Sequence, residues 1–238
     1  MRKNLKIDVM TLFPSFFEPF KELGVVGQAI QKELVSFQCH DIRAFSENRF
    51  GHIDRPPYGG GSGMVMMAPP LEACLKNIFE NIKQKDGSEK PRVVFPSPRG
   101  RAFKQEEAKR LASYDHLVFV CGRYEGVDER FIESYVDEEI SLGDFVLSGA
   151  EPAVMAISDA CIRLLPGVLG NEESTLEESF EKGLLEYPQY TRPPEWKGLK
   201  VPEVLLSGDH RKIKNWREEK SKEITQTRRP DLWTSKSP

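Results

Sequence analysis

The chain has 238 residues, 39% of them hydrophobic and 30% charged, with a net charge of −3. That suffices for one large domain, or a main domain with an appendage, and excludes wholesale disorder. No apolar run approaches the ~20 residues of a membrane helix, and a net negative charge does not by itself suggest a nucleic-acid binder.

The N-terminus, MRKNLKIDVM, has a charged start, but Lys6–Leu12 alternates with Ile7, Val9 and Thr11 on one side. That alternation predicts a first strand rather than a signal peptide, so a soluble cytoplasmic protein is expected. Phe16–Leu34 has helical spacing, interrupted near Gly24–Gly27, and Val35–Asp41 predicts a short strand. Asn48–Met67 is a glycine-rich loop. Pro70–Lys83 predicts a helix with prolines at its start and Leu71, Cys74, Leu75, Ile78 and Ile82 on one face. Val93–Phe95 predicts a short buried strand, followed by a turn at Ser97–Gly100. Lys104–Ala112 predicts a helix, Leu117–Cys121 a strand, Asp128–Ser134 a short helix and Ile140–Leu147 an extended segment. Glu151–Leu165 is a strongly apolar helix that Pro166-Gly167 ends.

Strands alternating with helices predict an α/β domain with a largely parallel sheet. The alternation stops near Leu169. Gly170–Ser179 (GNEESTLEES) is small, polar and acidic and predicts a linker; a small, mostly helical second domain is expected beyond it. The four cysteines (Cys39, Cys74, Cys121, Cys161) are far apart, and the four histidines form no paired spacing. Neither a zinc site nor a disulfide framework is expected, and three of the cysteines suit a buried core. Between Asp209 and Arg229 there are eight basic residues and four acidic ones, a local +4 that leaves −7 on the rest. Such a face is either a solvated helix surface or a docking surface for a phosphate backbone.

The most informative stretch is Val118–Glu151. An apolar strand stops at Gly122, a cluster of charges follows, and a second extended run ends at Ser148-Gly149. Glycines at strand ends let backbone groups reach a bound molecule. With the turn at Ser97–Arg101, the segments Cys121–Glu125 and Leu142–Leu147 supply three strand-end loops, which in an open α/β sheet converge where ligands bind. No GxGxxG follows the first strand, which removes a dinucleotide fingerprint. Tyr58–Met67 (YGGGSGMVMM) has no Lys-Ser/Thr and is not a phosphate loop. It reads either as a flexible surface loop or as a loop closing over a flat ligand, with Met-Val-Met-Met as a buried anchor.

YGGGSGM, SPRGR, VCGRYEGVDER, ISLGDFVLSGAE, IRLLPGVLG, LLEYPQYTRP and SGDHRKIKNWR occur in this order. Together they resemble the bacterial tRNA (guanine-N1)-methyltransferase family, TrmD, from the first strand to the end of the chain. The resemblance implies a SPOUT-type α/β fold with a deep trefoil knot. It implies a knotted S-adenosylmethionine-binding domain at 1–169, a linker at 170–179 and a helical tRNA-binding domain at 180–238. The cofactor residues it implies are Phe95, Pro96, Ser97, Pro98 and Gly100, then Cys121, Gly122, Arg123, Tyr124 and Glu125, then Leu142, Gly143, Asp144, Phe145, Val146, Leu147 and Gly149. The product it implies is N1-methylguanosine at tRNA position 37, made by a homodimer whose active site is shared between subunits. Magnesium is a further implied participant, although no protein metal site is expected.

By the same resemblance, Glu178 stands where the family's aspartate removes the guanine N1 proton, and Arg163 where an arginine supports charge on O6. Ser174 matches a linker serine near the base, and Tyr58, Gly59, Gly60, Gly61 and Gly63 the loop around the target guanine. Two departures stand out. Glu178 adds a methylene to the expected carboxylate, which leaves Glu177 as a substitute. At Gly149-Ala150-Glu151-Pro152 the family more often has a second glycine and a proline one residue later, so an altered backbone is expected there.

Overall fold

The structure, a computed structural model, describes residues 4–46, 50–83, 90–170 and 178–234. The chain divides into two compact units, Met1–Gly170 and Asn171–Pro238. The first unit opens with β1 (Leu5–Thr11), a 3-10 turn (Pro14–Phe17), α1 (Glu18–Glu22), α2 (Gly24–Gln31) and β2 (Val35–Asp41). It continues through a second 3-10 turn (Ile42–Phe45), β3 (Asp54–Arg55), β4 (Val65–Met66), α3 (Ala68–Lys83), β5 (Arg92–Ala102) and α4 (Gln105–Ala112). It closes with β6 (His116–Val120), α5 (Glu129–Tyr135), β7 (Glu138–Ser141) and α6 (Glu151–Ile162).

Five strands form one sheet in the order β2-β1-β6-β5-β7, with every pairing parallel. Parallel strands are covered on both faces, so they read as near-continuous apolar runs. The central strand β6 is buried at every position. Alternation divides the core in two. Leu5, Ile7, Val9, Leu117 and Phe119 pack with Val26 and Ala29 of α2, Ala108 and Leu111 of α4, and Val154, Ile157 and Cys161 of α6. Met10, Val93, Phe95, Val118 and Val120 pack with Leu71, Cys74, Leu75 and Ile78 of α3 and with Phe131 and Ile132 of α5.

Asp8 is the polar exception on the second face. His40 Nε2 and His116 Nε2 each stand 2.5 Å from one of its carboxylate oxygens. Burial raises the carboxyl pKa, but the hydrogen bonds to the two imidazoles outweigh it, and the net shift is downward.

The interruption expected near Gly24–Gly27 in the helix over Phe16–Leu34 falls at Leu23, which is extended, and at Gly24, with φ +64. Three expected boundaries move, each for a local reason. The strand expected at Val93–Phe95 runs on to Ala102, because the turn is an excursion inside one strand. Pro96 and Arg101 both pair with Ile140 of β7, and Ser97–Gly100 bulge out between them. The extended run expected over Ile140–Leu147 ends at Ser141. There the Gly143 N–H donates to Ser141 Oγ at 3.2 Å, and Gly143 takes φ +147. The last helix of the unit stops at Ile162, and Leu164 and Leu165 turn back onto Cys161 and Ile162.

The second unit holds a short hairpin of β8 (Glu195–Trp196) and β9 (Leu199–Lys200), then α7 (Glu203–Leu206), α8 (His210–Arg228) and α9 (Pro230–Thr234). Asp209 caps α8 by accepting the Arg211 and Lys212 N–H groups, both at 3.1 Å. The chain around Leu185 docks on α8, where the Leu185 N–H donates to the buried Thr225 Oγ1 at 2.9 Å. The four cysteines are free thiols, with Cys74, Cys121 and Cys161 buried. No helix among the described residues is long and apolar enough to cross a membrane.

Candidate active site

Three chain segments at one end of the sheet meet around a cavity of about 470 Å³. They are the β5 bulge, the loop from β6 to α5 and the loop from β7 to α6. The cavity size falls within the range of small-molecule and cofactor sites. Phe95, Pro96, Ser97 and Pro98 line it from the first segment, and Gly122, Arg123, Tyr124 and Glu125 from the second. Leu142, Gly143, Phe145, Val146, Leu147 and Gly149 line it from the third. Of the residues expected at the cofactor, only Gly100, Cys121 and Asp144 lie off this wall. Cys121 is fully buried behind it, where burial drives its thiol pKa well above the ordinary value.

Gly100 serves the sheet instead. A β-carbon there would lie 2.3 Å from the Ile140 backbone nitrogen, so a glycine lets the returning strand press against β7. Gly122 does touch the site, since its β-carbon would lie 2.8 Å from the Phe95 ring. Tyr124 holds a left-handed backbone with φ +59 and is more than half exposed. Such a conformation costs a non-glycine residue about 1–2 kcal/mol and occurs where a loop is shaped for a ligand.

Beneath the second and third loops lies a charged contact. Arg123 Nη2 is 2.9 Å from Glu151 Oε2, and Arg123 Nη1 donates to the Ser148 carbonyl at 3.1 Å. The ion pair is close, but its angles are poor, since neither Arg123 Nε nor Glu151 Oε2 completes a hydrogen bond. The Arg123 guanidinium also lies 4.5 Å from the centre of the Phe13 ring.

The residues expected in the glycine loop and Arg163 lie apart from this wall. Tyr58 and Gly59–Gly61 sit between β3 and β4 and are exposed, Tyr58 fully so. Their anchor is buried: Met66 is wholly enclosed, and the Met66 N–H donates to the Gly126 carbonyl at 2.9 Å. Gly63 approaches the cavity loop closely, since its β-carbon would lie 2.5 Å from Glu125 Cγ. Arg163 caps the far end of α6, about 15 Å along the helix from Ala153, which lines the cavity. Glu178 belongs to the second unit, where it lines a separate cavity with Lys182, Tyr187, Lys214 and Arg217. Ser174 and Glu177 lie outside the described residues.

The family model for tRNA (Guanine-1)-methyltransferase TrmD matches residues 5–235. The chain belongs to the TrmD family. A tRNA (guanine-N(1)-)-methyltransferase of Clostridium novyi (strain NT) is 51% identical over 229 residues, covering 96% of this chain and 91% of that protein. One from Lacticaseibacillus paracasei is 49% identical over 228 residues, covering 96% and 87%. One from Geotalea uraniireducens (strain Rf4) is 49% identical over 230 residues, covering 97% and 91%.

In this TrmD-family chain Ala150 lies on the cavity wall with φ −84 and ψ −6, ordinary right-handed values, so its methyl group strains nothing. Sequence reasoning missed Arg99, Val127, Glu129, Ser141, Ser148 and Ala153, all on the wall. Arg99 was within reach as the centre of SPRGR. The structure gives it partners, Glu129 at 3.0 Å and Glu139 at 3.3 Å.

Proposed function

We propose that this chain transfers a methyl group from S-adenosylmethionine to N1 of guanosine 37 in tRNA, giving N1-methylguanosine beside the anticodon. What carries the reading is the convergence of three strand-end loops on one cavity, in a chain that matches the TrmD family from residue 5 to 235. Phe95, Pro96, Pro98, Phe145, Val146 and Leu147 offer apolar surface to a purine ring, and Gly122 and Gly143 admit it close to backbone donors and acceptors. The acidic side chain of Glu125 on the same wall suits the positive charge of a sulfonium donor.

A sulfonium is already an activated methyl donor, so this chain's task is alignment and charge management. Guanine N1 carries a proton that must leave as the methyl arrives, which requires a base. Glu178 is that base in this reading. Charge that develops on O6 requires a cation, and Arg163 is the candidate. Arg163 lies at the far end of α6 from its own chain's cavity, and a shared site in a homodimer accounts for this: Glu178 and Arg163 serve the partner's cavity. Support comes from the exposed apolar residues Phe13, Phe16, Leu23 and Val25, which offer a surface for a second copy. Phe13 also stacks on Arg123 at the cavity edge.

Residues 1–169 are then the cofactor domain, folded as a trefoil knot, 170–179 the linker and 180–238 the tRNA-binding domain. The basic helix α8 faces phosphates, and the Tyr58–Gly63 loop and Ser174 surround a guanine flipped out of its stack. Magnesium is a further participant in this reading; no group of three candidate ligands occurs among the described residues. The test is incubation of pure protein with a tRNA transcript and S-adenosylmethionine, followed by position-resolved mass mapping. N1-methylguanosine at nucleotide 37 is expected; methylation of a ribose or of another base overturns the reading.

A further inference from the structure

Glu151 is fully buried, at the first position of α6. An acidic residue in a helix's first turn ordinarily faces water while it favours the helix dipole. Burying a carboxylate is costly, and an apolar residue of similar size would serve packing as well or better. Nor can Glu151 touch a ligand in the cavity, because it is sealed behind Gly149 and Arg123. Its presence calls for another explanation, and its neighbours supply one.

The second and third cavity loops belong to different strands. They are joined by the Ala150 N–H donating to the Gly122 carbonyl at 3.2 Å, and by Arg123 Nη1 donating to the Ser148 carbonyl at 3.1 Å. The guanidinium that makes the second tie is held from below by Glu151 at 2.9 Å. Glu151 is held in turn by Thr11, whose Oγ1 donates to Oε1 at 2.9 Å. Thr11 is itself fully buried, is the last residue of β1, and accepts the Phe13 N–H at 3.0 Å. The line therefore runs from the end of β1 through Thr11, Glu151 and Arg123 to the third loop. Space is reserved for it: a β-carbon on Gly149 would lie 2.3 Å from Arg123 Nε and 2.7 Å from Glu151 Oε2.

We propose that Thr11 and Glu151 are positioning residues for the cofactor cavity, acting through Arg123 to lock its second and third loops into one wall. This rests on the reading of that cavity as the S-adenosylmethionine site. A polar line whose inner members, Thr11 and Glu151, are fully buried is worth more in specifying one arrangement than in net stability. Loops already fixed in place bind a ligand without first being ordered, so the effect is on affinity.

The experiment is calorimetric titration of S-adenosylhomocysteine into wild type, Glu151→Gln, Thr11→Val, Arg123→Met and the double variant Arg123→Met/Glu151→Gln, with a melting curve for each. Glutamine keeps the size of Glu151 and its bond to Thr11 but removes the charge. Glu151→Gln and Arg123→Met should each weaken binding by roughly tenfold, and the double variant by no more than the worse single one, as for residues acting in one line. Thr11→Val should weaken it less, in the same direction. The KM for S-adenosylmethionine should rise with affinity loss, and the KM for tRNA should not move. A residue that only supports the fold would lower the melting temperature and leave the affinity of the folded protein unchanged. A folded Glu151→Gln that binds within twofold of wild type overturns the proposal, and so do single effects that multiply in the double variant. If Glu151→Gln does not fold, Thr11→Val decides: unchanged affinity overturns the proposal. A wild type that binds no ligand removes the functional reading itself, and this proposal with it.

Discussion

Gly100 is the sharpest place to separate a cofactor contact from a requirement of the sheet. In Gly100→Ala the new methyl carbon would lie 2.3 Å from Ile140 N, 2.4 Å from Glu139 C and 2.6 Å from Ile140 C. Comfortable separation for such atoms is about 3.5–4.0 Å, so the two strands must part by roughly 1 Å. All three neighbours are backbone, so no rotamer change relieves the contact. Overpacking of this kind costs about 1–3 kcal/mol, and the upper end applies here because the pairing of Arg101 and Ala102 with β7 is strained too. For a protein of this size each kcal/mol lowers Tm by about 2–4 °C, which gives a drop of about 6–12 °C by circular dichroism. Gly170 is the control: its β-carbon would meet nothing within 4 Å among the described residues, so Gly170→Ala should melt within about 2 °C of wild type. A Gly100→Ala protein that melts with wild type but fails to bind S-adenosylhomocysteine would refute this reasoning and return Gly100 to the cofactor.

Glu178→Gln should lower kcat by roughly 10²–10⁴-fold, as expected for a lost general base, with unchanged S-adenosylhomocysteine affinity; Glu178→Asp should retain activity, and an unimpaired glutamine variant would remove the base assignment. Tyr124→Gly relieves a left-handed backbone but removes a wall residue. Its unliganded Tm should match or exceed that of wild type while the ligand-induced shift shrinks, and a large loss of unliganded stability would contradict this. Glu138 accepts from Arg110 Nη2 at 2.5 Å and from Arg92 Nε at 3.0 Å. Burial raises its pKa, but those two arginines outweigh it and hold the carboxyl below its ordinary 4.5. Because the folded pKa is the lower one, the stabilisation is complete above about pH 4.5 and is lost as pH falls through the folded value. The Tm gap between wild type and Glu138→Gln should therefore close on acidification from pH 7 to 3, and a constant gap would be inconsistent with it.

The strands were legible because parallel, doubly covered strands carry near-continuous apolar runs, of which Leu117–Val120 is the plainest. The three loops were legible because glycines and charges crowd where such runs stop. What escaped was set by partners distant in sequence. Pro96 and Pro98 mark a turn, but only the pairing of Pro96 and Arg101 with the same Ile140 makes that turn a bulge within one strand. Phe145, Val146 and Leu147 look like a strand continuing from Ile140, yet Gly143 and Ser141 divert them to the cavity rim, where they are exposed. Glu151 looks like an ordinary helix-opening acid, because nothing local records that Thr11, 140 residues away, receives it. The placement of Arg163 at the end of α6 far from the cavity was equally invisible, since the apolar pattern of that helix does not record where the cavity opens.

A mixed dimer tests the shared site directly. One chain carries Glu178→Gln with its cavity intact. The other keeps Glu178 but has its cavity filled by Leu147→Trp, with loss of S-adenosylhomocysteine binding verified beforehand. Each is inactive alone. After dissociation and random reassociation, half of the dimers are mixed, and each mixed dimer holds one intact cavity facing one intact carboxylate, so about a quarter of wild-type methylation at nucleotide 37 should return. A mixture as inactive as its components would contradict the account, because it would mean that each Glu178 works only on the methyl donor held by its own chain.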